Sequence, residues 1–180
     1  MKPADHPELR RALLGWYQRA KRDLPWRHTS DPYAILVSEL MLQQTQVKTV
    51  LPYYEKFLKT FPTAAALAKA PEDKVLAAWA GLGYYRRARF LHAAAKAVVQ
   101  AGGFPDTLDG IRALPGVGAY TAAAVGSIAF GMPAAVVDGN VAQIPISQVK
   151  PNANQPRREF DEQAMLELAP VEHATVVKAP

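Results

Sequence analysis

Two carboxylates in unlike surroundings are the residues of this sequence best suited to catalysis. Glu39 lies among apolar neighbours in "ILVSELML" (35–42), where we expect burial to raise its pKa and retain its proton near neutrality. Asp138 precedes Gly-Asn at an expected helix start, where backbone N–H groups favour the ionised carboxylate. Such a pair provides a general acid and an anion for a developing positive charge. The plainer alternatives are a glutamate at the edge of an amphipathic face and a helix-capping aspartate.

A glycine-rich turn between two expected helices is the second candidate site. In "LPGVGAYTAAA" (114–124), Pro115 cannot extend the first helix, while Gly116 and Gly118 can adopt positive φ. Backbone N–H groups would then point outward at the positive end of the next helix dipole, which binds a phosphate without reading sequence. The alternative is a tight connector between helices with glycine caps.

The elements that must position these residues are helices. Apolar spacing, caps and breakers predict helices over 8–22, 32–44, 45–58, 63–70, 71–83, 84–103, 107–114 and 119–130. Ser30 or Asp31 is expected to cap the second helix, Thr45 the third and Thr107 the seventh, and Pro52 to bend the third. No segment of residues 1–140 alternates with the period of a strand, so we predict an all-α fold with short connections.

Composition and charge narrow the classes of protein. The chain has no Cys, which excludes a disulfide, a thiolate metal site and a cysteine-held iron–sulfur cluster, so we expect no cofactor. No apolar run approaches the roughly 20 residues that span a bilayer, and the N-terminus is unlike a signal peptide, so we expect a cytoplasmic protein. Residues 1–140 hold 17 Lys/Arg against 11 Asp/Glu, a net of +6, while 141–180 hold 4 against 5, a net of −1. The basic part suits nucleic acid, and a soluble basic protein is the alternative.

A series of motifs over about residues 8–141 resembles one family. "LPWR", "DPYAILVSELMLQQTQV", "GLGYYRRAR", "LPGVGAYTAAA" and "VVDGNV" resemble, in order and spacing, the helix–hairpin–helix adenine DNA glycosylases of the MutY type. The resemblance implies hydrolysis of the N-glycosidic bond of adenine mispaired with 8-oxoguanine or guanine. The adenine would be flipped out of the duplex, in a bacterial cytoplasm or nucleoid.

The resemblance also assigns catalytic roles. Glu39 would protonate the leaving adenine, and Asp138 would stabilise the sugar cation or act as nucleophile. Tyr120 stands where related bifunctional glycosylases carry a Schiff-base lysine, which implies a monofunctional enzyme. Asn140 matches a position near the sugar and phosphate, and a turn-forming residue is its alternative.

Further residues match the family's DNA contacts. Gln43, Gln44 and Thr45 follow the Glu39 helix, where amides could enter the base stack, and Tyr84 resembles a wedging aromatic. The other matches lie along a phosphate path, in the hairpin or near the extruded base: Arg86, Arg87 and Arg89; Gly116, Val117 and Gly118; Trp26 and Arg27. The alternatives are a solvated helix face for the arginines, core packing for Trp26 and a surface charge for Arg27.

The pattern changes after about residue 141. "IPISQVKPNANQPRREFDEQAMLELA" (144–169) resembles the opening of ParB-type partition proteins, and a short strand and one helix are expected there. We therefore predict a glycosylase domain over 1–141 and a tail over 142–180 that is not an independent domain. We expect a truncated or fused gene product, or an engineered or mis-assembled chain. Weak or absent activity would then accompany intact site residues, because Asp138 is loosened.

Three other functions remain open on the sequence. Another helix–hairpin–helix glycosylase, such as a thymine-mismatch type, is disfavoured by "QQT" and "GLGYY". A non-catalytic DNA-binding module would keep the hairpin contact, and Asp138→Asn would then change no chemistry. A partition-type protein rests on the tail alone and would require binding of a cytidine nucleotide.

Overall fold

The computed structural model describes residues 7–134, 141–144 and 174–177. Its elements are α1 (Pro7–Ala20), a 3-10 turn (Pro25–Arg27), α2 (Pro32–Leu42), α3 (Val47–Thr60), α4 (Ala64–Lys69), α5 (Glu72–Trp79), α6 (Arg86–Gln100), α7 (Leu108–Arg112), α8 (Ala119–Phe130), β1 (Val141–Ile144) and β2 (Ala174–Val177). One compact unit lies within Asp23–Val137 and contains α2 to α8, and another contains α1, β1 and β2. Every described element of the larger unit is helical, which confirms the all-α prediction. The predicted domain boundary near residue 141 stays a prediction.

Helix α2 is the centre of the larger unit. It packs against α3, α6 and α8, and all its residues from Tyr33 to Met41 except Glu39 are buried. A helix that is apolar on every side is stable only when neighbours cover it on every side. Large side chains from α3 and α5, among them Phe57 and Trp79, complete a continuous core around it. Glu39 is thereby held partly buried by the packing of its own helix.

Side-chain caps set the starts of three of the described helices. The backbone N–H of Tyr33 donates to Asp31 Oδ1 at 3.0 Å, so Asp31 is the cap of α2. Thr63 and Thr107 accept in the same way at the starts of α4 and α7. The prediction for Thr45 is wrong, because α3 begins at Val47 and the Thr45 hydroxyl is turned toward other partners.

Small residues bring α8 close to its neighbours. Residues 121–126 of α8 are buried, and the helix packs against α2 and α7. A Cβ built on Gly126 would lie 2.7 Å from Leu108 Cδ2 and 3.0 Å from the Met132 sulfur. The absence of a side chain at Gly126 therefore lets Leu108 and Met132 pack closely against α8, and a larger residue would require these side chains to shift. The hairpin between these two helices is held by this contact.

The smaller unit contains a two-stranded antiparallel sheet. Val141 pairs with Val177 and Ile144 with Ala174. The expected helix after Asp138 is therefore wrong for residues 141–144: Pro145 leaves too few residues for a helical turn, whereas pairing satisfies the backbone. The tail helix and all but Ile144 of the expected tail strand lie outside the described residues. None of the described helices reaches the length and apolar character needed to cross a bilayer.

Candidate functional site

A surface groove gathers residues from four separate segments of the larger unit. Its cavity measures about 480 Å³ and is lined by Gln43, Gln44, Tyr84, Arg86, Arg87, Phe90 and Gly116. We call it the glutamine–tyrosine groove. The turn after α2, the turn before α6, the first turns of α6 and the hairpin each contribute to it. Six of its seven residues are predicted DNA contacts, so folding brings them to one place.

Two residues of the groove have unusual backbone conformations. Gln44 has φ 55° and Tyr84 has φ 47°, and they are the positive-φ residues other than glycine in the described part of the chain. Non-glycine residues in this left-handed region are strained, and such strain is held where the surroundings dictate it. Both side chains are exposed, Tyr84 by 63%. The strain therefore lies at two of the three predicted inserting side chains, Gln44 and Tyr84.

Glycines and one tyrosine shape the turn that presents Tyr84. Gly81 and Gly83 have φ of 101° and 70°, which only glycine adopts readily. A Cβ on Gly81 would lie 2.0 Å from the hydroxyl oxygen of Tyr53, so the α3 tyrosine lies directly against this backbone. The Trp79 indole N–H donates to the Gly83 carbonyl at 3.1 Å. The turn is therefore fixed from both α3 and α5.

Arg87 is placed differently from the prediction. Arg87 is only 7% exposed. Its guanidinium donates hydrogen bonds to buried backbone carbonyls, among them those of Met41 and Leu82. Arg87 therefore does not extend along a solvent-facing phosphate path. The guanidinium carbon lies 5.5 Å from the Trp79 ring centroid and 5.3 Å from that of Tyr84. Burial lowers the pKa of Arg87, and Tyr84 opposes that shift. Arginine nonetheless stays charged, because its pKa starts so high.

The neighbouring arginines remain on the surface. Arg86 is exposed, and its guanidinium carbon lies 5.0 Å above the ring centroid of Phe90, one turn further along α6. Arg89 pairs with Glu72 of α5, with its Nε 2.9 Å from the carboxylate oxygen. Arg86 therefore faces the glutamine–tyrosine groove, whereas Arg89 is engaged with α5.

The hairpin has the predicted turn, with one difference. Gly116 has φ 75°, and a Cβ there would lie 2.4 Å from Phe90 Cβ, so both conformation and space require glycine. Gly118 instead has φ −88° and ψ 178°, ordinary extended backbone, and caps α8 without a side chain. Nothing lies within 4 Å of a Cβ built on Gly118. Val117 is buried and anchors the turn, which leaves the start of α8 open.

Glu39 has the electrostatic property that the sequence predicts. Desolvation by burial raises its pKa to about 7. A carboxyl group in this position holds its proton over part of the neutral range, which a general acid requires. Glu39 lies on the same helix that leads into Gln43 and Gln44, so the acid and the two amides are positioned together.

Four further predicted residues lie outside the groove lining. Tyr120 lies in the first turn of α8 and is 41% exposed. Trp26 is buried, and its ring meets that of Tyr54 edge to face at 5.2 Å, as core packing requires. Arg27 is on the surface beside His28, which pairs with Asp23. Thr45 contacts Arg87 rather than lining the groove, with its Oγ1 3.1 Å from Arg87 Nη1.

Two site residues lie outside the described part of the chain, and two others escaped the sequence interpretation. Asp138 and Asn140 are among the residues that the structure does not describe. Phe90 supports both Arg86 and Gly116, and its spacing of four residues from Arg86 on a helix is a signal that could have indicated it. Tyr53 has no such signal, because its contact with Gly81 is distant along the chain.

The described residues do not include a cluster of side chains that could ligate a metal ion. Within residues 7–134, 141–144 and 174–177, no group of three or more His, Cys, Asp or Glu residues is arranged to hold a metal ion. The 180 residues include no Cys, so they do not fit a cysteine-ligated iron–sulfur cluster.

Comparisons with known proteins agree on one family. The model for "HhH-GPD superfamily base excision DNA repair protein" matches residues 37–170. The chain is 47% identical over 152 residues to the human adenine DNA glycosylase and 43% identical over 145 residues to that of Buchnera aphidicola. The match to the human protein covers 78% of this chain and 28% of that protein. The match to the Buchnera protein covers 79% of this chain and 41% of that protein. The chain thus spans less than half the length of either relative.

A solved structure has a similar fold. A thermostable thymine-DNA glycosylase matches with a TM-score of 0.68 and 36% identity, covering 74% of this chain and 63% of that one. The family match extends through residue 170, so it also includes the segment that resembles partition proteins. That second resemblance stays a prediction.

Proposed function

We propose that this chain, which belongs to the HhH-GPD superfamily of base excision DNA repair proteins, is a monofunctional adenine DNA glycosylase. Its substrate would be adenine opposite 8-oxoguanine or guanine in duplex DNA. The relatives that support this specificity are adenine DNA glycosylases at 43 to 47% identity. The single observation that carries the proposal is the glutamine–tyrosine groove beneath the end of the Glu39 helix.

The groove supplies what base flipping needs. Extruding a base from a duplex costs a few kcal/mol, which inserted side chains offset by filling the gap. Tyr84 offers an exposed aromatic ring, and Gln43 and Gln44 offer exposed amides from the opposite side. Arg86 adds a positive charge at the rim. The groove thus combines filling groups with attraction for the DNA backbone.

The hairpin would hold the DNA strand through its backbone. The open start of α8 presents N–H groups at the positive end of a 12-residue helix. Gly118 leaves space for close approach, since nothing lies near its Cβ position. A phosphate bound there would be recognised independently of base sequence.

The chemistry would divide between two carboxyl groups. Glu39, with a pKa of about 7, would protonate the adenine ring, and the N-glycosidic bond would break with its electron pair leaving on the base. Asp138 would stabilise the positive charge on the sugar, and water would complete hydrolysis. Tyr120 has a phenol, which forms no imine, so the strand would not be cut by this chain.

The test is single-turnover adenine release from a duplex with adenine opposite 8-oxoguanine. We expect release by the parent chain and a loss of at least about a hundredfold in Glu39→Gln and Asp138→Asn. Lys96→Met, which removes an exposed cation from α6 without touching the groove, is the matched control. Product should appear as an intact abasic strand, cut only after alkali.

The alternatives predict other outcomes. A duplex with thymine opposite guanine is included because the thymine-DNA glycosylase is structurally similar at 36% identity, and release of thymine alone would replace adenine as the substrate. Salt-sensitive binding without release of either base would favour the non-catalytic DNA-binding module. Release that persists in Asp138→Asn would contradict the assigned chemistry.

A further inference from the structure

We infer that Arg87 is a positioning residue that braces the two strained inserting turns of the glutamine–tyrosine groove, and that it is not a phosphate contact. The hydrogen bonds and distances around Arg87 support the bracing role by themselves. The effect of that role on base flipping rests on the proposed function. The two turns are defined here as residues 43–45, after α2, and residues 82–84, before α6. They are far apart in sequence, and the Arg87 side chain contacts both.

Each terminal nitrogen of the guanidinium serves one turn. Nη1 lies 3.1 Å from the Leu40 carbonyl oxygen and 2.9 Å from that of Met41, and it also contacts the Gln43 carbonyl and Thr45 Oγ1. Nη2 lies 3.2 Å from the carbonyl oxygen of Leu82 and 3.3 Å from that of Gly83. The fork of an arginine therefore spans a gap that a single ammonium nitrogen cannot.

The contacts bracket both left-handed residues. Gln43 and Thr45 flank Gln44, whose φ is 55°. On the other side, Gly83 precedes Tyr84, and the Tyr84 ring lies against the guanidinium at 5.3 Å. Strained backbone persists where surrounding contacts over-determine it. The groups that fix the conformations of Gln44 and Tyr84 thus converge on one buried cation.

The position of the charge is also favourable for a brace. The carbonyls of Leu40 and Met41 belong to the last turn of α2, where the helix dipole is negative and the final carbonyls lack helical partners. A cation that binds them stabilises the end of the helix that carries Glu39. Both terminal nitrogens are occupied by protein acceptors, Nε is buried and the residue is only 7% exposed, so little of the Arg87 guanidinium is open to a DNA phosphate.

Conservative substitution separates a brace from a phosphate contact. A lysine keeps the charge and can replace an arginine at a phosphate, but it cannot hold both turns. We expect Arg87→Lys to reduce base flipping, followed by the fluorescence of 2-aminopurine at the target position, by at least about tenfold. The slope of log duplex affinity against log salt concentration should be the same for Arg87→Lys as for the parent chain. Arg86→Met, which removes an exposed cation of the groove, should lower the salt slope by about one.

Lys96→Met is the control for loss of a cation from the same helix, and it should change neither readout. Arg87→Met should resemble Arg87→Lys, since the brace is lost in both. A salt slope that falls by about one in Arg87→Met and is restored in Arg87→Lys overturns the inference. Normal flipping by Arg87→Lys also overturns it.

A measurement on the parent chain keeps the inference testable if the Arg87 variants do not fold. In a nitrogen-labelled chain, a braced guanidinium rotates slowly and gives resolved Nη proton signals by NMR. We expect resolved signals for Arg87 that barely move when duplex is added, and averaged signals for Arg86 that shift. Averaged or duplex-sensitive Arg87 signals overturn the brace. The Arg87 signals can be recorded on the free chain even if it releases no base. Failure of the brace can therefore be distinguished from failure of the proposed function.

Discussion

At the residue scale, the proposed chemistry depends on whether the fold buries or exposes individual charged side chains. Burial raises the pKa of Glu39 to about 7, which suits it to donate a proton. Arg87 is buried as a donor to backbone carbonyls, and Arg86, next to it in sequence, faces the groove. Adjacent residues of the same type thus acquire opposite roles, because successive positions on a helix point in different directions.

The raised pKa of Glu39 predicts a pH-dependent stability. The folded state binds the Glu39 proton more tightly than the unfolded state, whose pKa is 4.5. The contribution of this proton to the free energy of unfolding is therefore fully present below pH 4.5 and is lost as the pH rises through about 7. The loss amounts to at most about 3 kcal/mol. Glu39→Gln should remove this loss. Urea unfolding of both chains at several pH values measures it, and parallel pH profiles for the two chains would contradict it.

At the element scale, the hairpin and the central helix set the geometry of the site. Gly116 is held in the left-handed region against Phe90, whereas Gly118 lies in open extended backbone. Gly116 is thus required for folding, and Gly118 is available for binding. The two roles can be separated by the same substitution made at each position.

We expect Gly116→Ala to destabilise the chain by about 2–4 kcal/mol, from left-handed strain and overlap with Phe90. Gly118→Ala should change the free energy of unfolding by less than about 1 kcal/mol, yet weaken duplex binding. Urea unfolding and a duplex titration measure the two effects. Phe90→Ala in the Gly116→Ala background should recover only the part of the loss that comes from overlap with the Phe90 ring, because alanine keeps the Cβ at 2.4 Å. Equal stability of the two glycine variants would refute this account of the hairpin.

At the scale of the whole molecule, the described core and the proposed catalytic aspartate, Asp138, belong to different stretches of the chain. All members of the buried cluster lie between Leu24 and Val125. Asp138 lies beyond the unit within Asp23–Val137. The groove and the hairpin are in that unit, so binding and chemistry are separable in principle.

A fragment of residues 23–137 tests this separation. It should unfold in one cooperative urea transition, because the described core is complete within it. It should bind duplex with salt-sensitive affinity and release no adenine, since it lacks Asp138. Circular dichroism and the release assay measure the two properties, with the parent chain as control. A fragment without a cooperative transition would show that the core depends on the rest of the chain.

The sequence by itself determined the helices, most caps, the glycine turn and the family, because these depend on local periodicity, turn chemistry and short motifs. It also indicated the direction of the Glu39 pKa shift, since the apolar neighbours of Glu39 are adjacent in the chain. Only the tertiary structure decided that Thr45 is not a cap, that Arg87 is buried and that Phe90 and Tyr53 support the site. Those outcomes depend on contacts between residues tens of positions apart, such as Arg87 with Leu40. Local pattern holds no information about which distant backbone carbonyls will need a donor, and packing settles that only when the helices meet.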